Sequence, residues 1–451
     1  MGCAAAGTAR IRTASDGVRG RSTLRISTEP RQTSGDDRVS SAPLTGPVPR
    51  PEGHRRGSPE FTRMLIAMFC AGLATFAQLY SPQAVLPSIA RDLGVDAASA
   101  ALMVSAGTLG LALFALPWTY LADRWGKVRA MEIAVVSATV LGLVIPWIPH
   151  FGTVLMLRLA QGAALAGMAA LAVSYISEET HVLHAGAATG LYVAGTSLGG
   201  LSGRLISGPV AEVTGSWRVA VMTVSVLAGV AAVAFIVLVP RARRFVAVPP
   251  QGALRETAHR IGLQLRNPAM LSLYLLAFIL MGAFVTVYNY VGFTLEAPPY
   301  LLSPGVIALL FLAYLSGTFA STTAARFSAL FGRLHVVGAC VAVMLVGIGL
   351  TLTRPLWLIV VGLVLLTMGF FAAHSVASGW AGLEAGAAKA QGTALYNVFY
   401  YAGSALVGWV GGFFYAAGGW LATGLFCAVL LVVGSAVACP VLHRTLVRRA
   451  G

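Results

Sequence analysis

The sequence predicts an all-α polytopic membrane protein with twelve transmembrane helices, arranged as two six-helix halves. Three observations predict this class. Hydrophobic residues make up 57% of the chain and charged residues only 10%, a balance that soluble domains do not have. The chain contains successive runs without charged residues, and the length of each run is near that of a helix that crosses a bilayer, or longer. Several short motifs also recur about 204 residues apart, which indicates an internal duplication.

The first six spans are predicted from runs without Asp, Glu, Lys or Arg, because a charge at mid-bilayer costs at least a few kcal/mol. A spanning helix needs about 20 residues, and each run is near that length or longer. In chain order the runs are Met64–Ala90, Ala97–Ala122, Ile133–Leu157, Leu159–Ser177, Thr180–Gly203 and Val219–Pro240.

Six further spans follow a polar segment. Their runs are Asn267–Leu295, Ala297–Ala325, Leu334–Thr353, Pro355–Leu383 and Ala390–His443. The last run has 54 residues and must therefore fold back, most simply at Gly418-Gly419-Trp420. The predicted organisation is a disordered Arg-rich cytosolic tail at 1–61, an N-terminal half at 62–240, a cytosolic linker at 241–266, a C-terminal half at 267–442 and a cytosolic tail at 443–451.

The distribution of Lys and Arg predicts that both termini are cytosolic. Of the 31 such residues, 11 lie in residues 1–63 and two, Arg158 and Arg204, lie within spans. With the N-terminus inside, 15 of the others fall in cytosolic segments and three outside, as the positive-inside rule requires. The net charge of +15 therefore indicates topology and contact with the lipid bilayer, not a nucleic-acid partner. Arg outnumbers Lys 29 to 2, which favours a GC-rich bacterial genome and hence a bacterial inner (cytoplasmic) membrane.

Matches between the halves support the duplication. Thr189-Gly190-Leu191-Tyr192 recurs as Thr393-Ala394-Leu395-Tyr396 at an offset of 204, and Gly199 falls on Gly403 at the same offset. The charged loop at 123–129 recurs faintly near 330–335. Two homologous halves predict a pseudo-twofold axis along the membrane normal and a substrate site between the halves near the bilayer midplane.

The charged loop between spans two and three resembles the signature of the major facilitator superfamily, G-x-x-x-D-R-x-G-R/K-x-R/K. Asp123, Arg124, Gly126, Lys127 and Arg129 match it, and Thr119 replaces the first Gly. The resemblance implies a conformational latch, in which Asp123 faces the N-terminal dipole of span eleven near 390–393 and holds the cytosolic side closed. The alternative is a loop that only sets topology. The second copy has Ala329 at the Asp position, so we expect a latch in one half only.

Arg158-Leu159-Ala160-Gln161-Gly162 in span four is similar to the family motif R-x-x-Q-G. An Arg inside a span needs a partner or a water-filled cavity. The resemblance implies a role for Arg158 in proton coupling, together with Gln161 and Gly162. The alternative is an Arg satisfied by backbone carbonyls of spans one and four.

Span five combines helix packing with a second buried charge. Glycines four apart stack on one helix face and let backbones approach closely. They are Gly195, Gly199 and Gly203, followed by Arg204 and by Gly208-Pro209. The family's exporter motif has Gly-Pro where Gly203-Arg204 stands. The string from Leu191 to Arg204 nevertheless resembles the YnfM-type branch of bacterial efflux carriers, which implies efflux.

Charges within the spans predict substrate and coupling. Two fixed cations without a deep Asp or Glu favour an anionic or polar substrate. Arg204, near the outer end of span five, is expected to snorkel towards water, which leaves Arg158 as the indispensable charge. His374, central in span ten, is either a proton carrier or a neutral packing histidine. Candidate cavity-lining residues at span midpoints are Gln78, Tyr80, Gln83, Tyr192, Asn289, Asn397 and Tyr400.

The predicted function is secondary active transport of a small molecule by alternating access, as a monomer, with proton-coupled efflux favoured over uptake or facilitated diffusion. A polytopic membrane enzyme is an alternative, since His374 and Ser378 lie one turn apart. No G-x-S-x-G elbow or HExxH motif accompanies them. A channel and a transporter-like receptor are further alternatives. The five Cys have no metal or disulfide spacing, so neither a metal nor another cofactor is expected.

Overall fold

The computed structural model describes residues 53–242 and 253–450 as helices joined by short turns. Spans one to six are Pro59–Tyr80 with its continuation Leu86–Leu93, Ala97–Trp125, Lys127–Val144, Phe151–Glu179, Val182–Thr214 and Trp217–Leu238. Spans seven to ten are Pro268–Glu296, Pro304–Leu309 continued by Tyr314–Phe331, Arg333–Thr351 and Leu356–Glu384. Spans eleven and twelve share Lys389–Ala450.

Within the described residues, ten helical segments are long and apolar enough to cross a membrane. Span five is not among them, because Arg204 and its many glycines lower its hydropathy. The longest segment holds two spans, since the backbone leaves the helical region at Gly418 (φ −152°) and Gly419 (φ 59°). The expected turn is therefore at the expected place, and the all-α polytopic architecture is confirmed.

The ends of the helices differ from the expected domain boundaries. Residues 1–52 and 243–252 lie outside the described residues, so the predicted tail and linker are described only in part. His54 pairs with the backbone beside Thr180, and Ser58 caps span one, so residues 53–61 are not a disordered tail. The linker contains the helix Ala253–Arg266. Span twelve continues to Ala450 because no proline or glycine interrupts it after Pro440.

Repeated positions in the two halves share local geometry. Gly126 (φ 86°, ψ 145°) and Gly332 (φ 83°, ψ 147°) make the same turn after spans two and eight, a conformation that favours glycine. A Cβ on Gly199 would lie 2.5 Å from the Leu73 carbonyl oxygen, and one on Gly403 would lie 2.1 Å from the Phe278 carbonyl oxygen. Span five therefore packs on span one as span eleven packs on span seven, which is what duplication predicts.

The two ends of the bundle carry different loops. We call the end with the loops after spans two, four, eight and ten the basic face, and the other end the closed face. At the closed face the N-terminal half bonds directly to the C-terminal half. Arg91 pairs with Glu296, and Glu212 accepts hydrogen bonds from the Ser303 hydroxyl at 2.8 Å and the Gly305 amide at 2.9 Å. Gly208 packs against Ala308 nearby, so spans five and eight meet without a gap.

Candidate substrate cavity and its charge network

Arg158 lies within span four and is 1% exposed. Its Nε donates to the Met103 carbonyl at 2.8 Å, and its Nη2 donates to the Leu79 carbonyl at 2.7 Å. Its Nη1 donates to the Gln161 side-chain oxygen at 2.6 Å and to the Gln78 carbonyl at 3.2 Å. Each nitrogen of the guanidinium is therefore bonded within the N-terminal half, which is the arrangement that a buried Arg requires when no carboxylate is near.

Gln161 extends this network to span three. Its amide donates to the Gln78 side-chain oxygen and to the Ala138 carbonyl, both at 3.1 Å. A Cβ on Gly162 would lie 1.9 Å from the Gly107 carbonyl oxygen, so only glycine lets span four approach span two this closely. The motif thus joins spans one to four. The alternative expected backbone carbonyls of spans one and four around Arg158. The carbonyls come from spans one and two instead, and span four contributes the Gln161 side-chain oxygen.

Arg204 is 2% exposed, so the expectation that it reaches water is wrong. The charge-free run ends at Gly203, but the helix continues to Thr214. These ten further residues place Arg204 about 15 Å from the helix end, which is too far for its side chain to span. Its Nε donates to the Gln83 side-chain oxygen at 2.7 Å and its Nη1 to the Gly200 carbonyl at 2.6 Å.

A hydrogen-bonded chain leads from Arg204 across the boundary between the halves. The Gln83 amide donates to the Asn289 side-chain oxygen at 2.7 Å. Arg204 belongs to span five, Gln83 to the 3₁₀ turn Ser81–Val85 of span one, and Asn289 to span seven. The Asn289 amide nitrogen is buried and has no hydrogen-bond partner among the described residues. These hydrogen bonds therefore connect Arg204 of the N-terminal half to Asn289 of the C-terminal half through Gln83.

A cavity of ≈ 120 Å³ opens between the two halves beside Arg204. Spans one and five contribute Phe76, Tyr80, Thr196, Ser197, Gly200 and Arg204. Spans seven, eight, ten and eleven contribute Met281, Phe284, Val285, Tyr314, Phe370, Phe371, Tyr400 and Tyr401. A larger cleft of ≈ 450 Å³ surrounds Arg91 and Glu296 at the closed face. The cavity beside Arg204 matches the expected site between the halves, whereas the cleft lies at one end of the bundle.

Two of the seven predicted lining residues, Tyr80 and Tyr400, lie on this cavity. Gln78 lies in the helix interface, where its amide donates to the Ala74 carbonyl and the Thr139 hydroxyl. Gln83 and Asn289 form the hydrogen-bonded chain from Arg204. Tyr192 is buried in the contact of span five with span one, and Asn397 is exposed outside the cavity lining. Residue type and position in the middle of a span therefore did not show whether a residue lines the cavity, lies in a helix interface or joins the two halves.

Most of the aromatic lining was not predicted from the sequence. Tyr314, Phe284, Phe370, Phe371 and Tyr401 are apolar or amphipathic residues in apolar spans, where packing is the usual role of such residues. One feature of the sequence could have indicated part of this lining. Phe370, of the adjacent pair Phe370-Phe371, lies four residues before His374 on the same helix. Residues four apart share a helix face.

His374 lies one layer behind the cavity wall. Its Nδ1 is 3.1 Å from the Tyr396 hydroxyl oxygen. Its ring centre is 4.6 Å from that of Tyr400 and 5.9 Å from that of Phe370, both of which line the cavity. His374 is half-buried and is not itself part of the cavity lining. Among the described residues, no group of three or more His, Cys, Asp or Glu has the arrangement of a metal site.

The loop at 123–129 makes its described contacts within the N-terminal half. Lys127 pairs with Glu178 and donates to the Ser174 hydroxyl. The Arg124 guanidinium lies 4.5 Å from the centre of the Tyr120 ring. Lys127 and Glu178 are the charged neighbours of Asp123, which has no hydrogen bond to span eleven in the described part of the chain. In this conformation the latch geometry implied by the motif is not formed.

The glycines of span five have the packing role that their spacing predicts. Built Cβ atoms on Gly195 and Gly203 would lie 2.4 Å and 2.5 Å from the carbonyl oxygens of Phe69 and Ala77 in span one. Gly208 and Pro209 instead lie beside span eight, where a Cβ on Gly305 would come within 3.5 Å of the Pro209 Cα. Span five thus packs against span one of its own half at Gly195 and Gly203, and against span eight of the other half at Gly208 and Pro209.

Comparison with known proteins identifies the family. Residues 64–320, more than half of the chain, match the model of the Major Facilitator Superfamily. The chain belongs to the major facilitator superfamily. It is 38% identical to the inner membrane transport protein YnfM of Escherichia coli strain K12 over 394 residues, which cover 87% of this chain and 93% of that protein. It is 35% identical to the uncharacterized MFS-type transporter YybF of Bacillus subtilis strain 168, covering 84% and 93%.

Solved structures show the same fold. The nucleoside transporter NupG superposes with a TM-score of 0.70 at 13% identity, covering 84% of this chain and 99% of that one. A bacterial homologue of the human lysosomal transporter Spinster, in an inward-facing and unoccupied conformation, superposes with a TM-score of 0.69 at 16% identity, covering 86% and 98%. These likenesses show the fold alone. Membership of the family, with the two relatives above, identifies the chain as a multi-pass membrane transporter of a small molecule and not an enzyme.

Proposed function

We propose that the protein is a proton-coupled secondary transporter that exports a small anionic or polar molecule by alternating access. The observation that carries this proposal is the cavity between the halves, which contains Arg204 and is separated from the closed face by contacts between them. Rocking of two rigid halves about such a site exposes it to one side at a time. Efflux is also the activity named for PmrA, a multi-drug resistance efflux pump of Streptococcus pneumoniae that is 29% identical over 134 residues, 29% of this chain and 33% of that protein.

The orientation is part of the proposal. Lys and Arg crowd the basic face, and the positive-inside rule puts such a face in the cytosol. The termini are then cytosolic, the closed face is periplasmic, and the structure corresponds to an inward-facing state, the state named for the Spinster homologue. The protein then acts as a monomer in a bacterial cytoplasmic membrane, with the cavity open to solute from inside the cell.

Within this scheme, the loop at 123–129 is the latch of the other state. When the halves rock, Asp123 meets the first turn of span eleven, where free backbone amides and the helix dipole attract an anion. Lys127 and Arg129 remain at the cytosolic surface. The Lys127–Glu178 pair attaches the loop to span four in this conformation, and we expect it to persist in the other state. Direction and rate of transport then depend on how easily this contact forms.

His374 is the proposed proton carrier. The described Asp and Glu residues that belong to spans lie near helix ends, as Glu132, Glu212 and Glu296 do. Imidazole is the side chain that changes charge between pH 5 and 8, and His374 packs against Phe370 and Tyr400, two rings that line the cavity. Movement of Tyr400 during rocking would expose His374 to the solute and to Arg204.

Transport is tested in proteoliposomes that contain the pH indicator pyranine, with and without an imposed pH gradient. Anionic, neutral and cationic solutes are added in turn, and solute-dependent proton movement is recorded. The wild-type protein should move protons with at least one solute class. The His374→Ala protein should keep downhill solute exchange and lose dependence on the gradient, whereas His443→Ala, at an exposed position of span twelve, should behave as wild type. Full gradient-driven transport by His374→Ala would refute the proton role. Everted vesicles decide direction.

A further inference from the structure

We propose that the cavity selects a small organic anion with a flat, aromatic body, and that Arg204 binds the anionic group. This inference rests on the proposed transport function, because it names the substrate class of the same cavity. It is carried by three properties of the site: an unpaired buried charge, remaining hydrogen-bond donors on that charge, and an aromatic lining.

Arg204 is a buried cation that has no counter-ion in the described part of the chain. Among the described residues it forms no ion pair, although it is 2% exposed. Its bonds go to neutral oxygens, those of Gln83 and Gly200. An unpaired charge in a low-dielectric interior is costly, and an anion that enters the site removes that cost. A cationic ligand would raise it. The sign of the charge at the cavity therefore favours anions.

The guanidinium also keeps hydrogen-bond donors for a ligand. Arginine has five N–H donors in a planar fork. Nε and Nη1 of Arg204 each make one hydrogen bond, and Nη2 makes none with the described residues. The Tyr314 hydroxyl, on a ring that contacts this guanidinium, likewise has no partner in the described part of the chain. A carboxylate has two oxygens, which suit two such donors.

Aromatic rings surround the charge and the space beside it. The Arg204 guanidinium carbon lies 4.3 Å from the centre of the Tyr80 ring and 4.8 Å from those of Phe311 and Tyr314. Such cation–π contacts stabilise the cation without neutralising it. The lining of the cavity also includes the rings of Phe284 and Phe370, whose centres are 4.0 Å apart, and those of Phe371, Tyr400 and Tyr401.

The size of the space limits the ligand. The cavity volume is ≈ 120 Å³, and an apolar protein cavity of about 150 Å³ is known to hold benzene. The space in this conformation is thus slightly smaller than one that holds a single aromatic ring, and a ring with an anionic group, or any larger body, requires the halves to separate. Aromatic ligands also gain from offset or edge-to-face contacts with such a wall. The site thus combines one cationic anchor with an apolar slot.

The other buried arginine does not offer this chemistry. Nε, Nη1 and Nη2 of Arg158 all bond to oxygens of the N-terminal half, and Arg158 is not part of the cavity lining. An anion there would have to displace bonds that hold helices together. The two arginines are therefore assigned different roles, Arg158 in helix packing and Arg204 in ligand binding.

The inference is tested by calorimetric binding to the full chain in an uncharged detergent, which does not depend on transport. The probes are benzoate, benzyl alcohol, benzylamine and acetate, which vary the charge with one ring and then remove the ring. Benzoate should bind at least about tenfold more tightly than each of the others, because a charged hydrogen bond contributes about 1.5 kcal/mol or more. Benzylamine binding as tight as benzoate, or no benzoate binding up to about 10 mM, would overturn the inference.

Variants locate the binding. Arg204→Gln should weaken benzoate about tenfold and leave benzyl alcohol unchanged, and Arg204→Lys should be intermediate because it keeps the charge without the fork. The control Arg354→Gln makes the same change at an exposed position of the closed face and should have no effect. Unchanged benzoate binding by a monodisperse Arg204→Gln protein would refute the assignment. If this variant does not fold, the wild-type series still decides.

Failure of the two proposals is distinguishable. If benzoate binds in this pattern but proteoliposomes show no solute flux, the site assignment stands and the transport function fails. If neutral or cationic solutes are transported while benzoate does not bind, transport stands and the substrate class is wrong.

Discussion

Each face of the bundle has an acidic residue near the end of a helix of the N-terminal half. The acid at the closed face bonds to the C-terminal half, whereas the acid at the basic face does not do so among the described residues. At the closed face, Glu212 at the end of span five accepts hydrogen bonds from Ser303 and Gly305 at the start of span eight. At the basic face, Asp123 at the end of span two has Lys127 and Glu178 as its charged neighbours and no hydrogen bond to span eleven among the described residues. Glu212 thus contacts the start of span eight, and the proposed latch would bring Asp123 to the first turn of span eleven in the other state.

If the protein works by the proposed alternating access, this difference indicates how a symmetric scaffold favours one state. An acid at a helix N-terminus contributes about 1 kcal/mol, so neither contact is strong enough to lock the protein. A contact formed at one face and broken at the other instead biases a two-state equilibrium by about 1 kcal/mol. Motif resemblance identified Asp123, whereas the role of Glu212 was recognised only from its contacts with span eight.

The largest effect is expected for Arg158→Ala, because the comparison of the two faces assumes that the N-terminal half is rigid. Arg158→Ala leaves three carbonyls and Gln161 without their donor, and loss of a buried charged network costs about 3–5 kcal/mol. We expect a large fall in membrane abundance and in Tm, measured by fluorescence-detected size-exclusion chromatography after heating. Arg158→Lys should recover part of both. A fully stable Arg158→Ala protein would show that the N-terminal half is not held together in this way.

Glu212→Gln should have the next largest effect. It removes the charge that accepts from Ser303 and Gly305, and a loss of about 1 kcal/mol shifts the equilibrium roughly fivefold towards opening of the closed face. Spin labels at the exposed positions Val213 and Leu301, in a background without native cysteines, report this opening by distance measurement. Glu132→Gln, in span three, is the control. Unchanged distances would mean that Glu212 does not hold the face closed.

Asp123→Asn should lower transport about two- to fivefold at near-normal membrane abundance, because the missing charge weakens only the state in which the basic face is closed. Labels at Val182 and Leu383, both exposed at the basic face, should give the same distances as in the unsubstituted protein when no solute is present. Wild-type flux would reduce the loop to a topology signal. Altered distances without solute would show that Asp123 already acts in this conformation.

The smallest effect is expected for Arg91→Gln. The Arg91 side chain is 63% exposed, and exposed ion pairs contribute at most about 1 kcal/mol, less at high salt. The distance between labels at Val213 and Leu301 should change less than in Glu212→Gln, and the change should vanish as salt is raised. A larger effect than that of Glu212→Gln would reverse the order of the two contacts at the closed face.

Much of the fold was predictable because the bilayer imposes a simple rule. Charges cannot lie at mid-bilayer without a partner, so runs without charge located the spans and the 54-residue run had to turn at its Gly-Gly pair. The same rule failed at Arg204, where a buried charge ended the predicted run while the helix continued to Thr214. A charged side chain that has partners inside the bundle can lie within a span, so the absence of charge does not locate the end of such a span.

The candidate site was less predictable. Gln78, Gln83 and Asn289 are similar in type and depth, yet Gln78 bonds within the interface of spans one, three and four, whereas Gln83 and Asn289 join the two halves. Which of these environments an amide enters depends on helix rotation and on the packing of the halves. A single sequence carries little information on either quantity.

By itself the sequence determined the membrane class, the duplicated spans, the turn at Gly418-Gly419 and the family, because these depend on local composition, spacing and backbone conformation. The tertiary structure alone decided which arginine faces the cavity, which aromatic rings enclose it, and which face of the bundle is closed. Those properties depend on contacts between residues that are far apart in the chain. Arg204 illustrates this: it bonds to a residue 121 positions away, and only the packing of spans one, five and eight places aromatic rings around its charge.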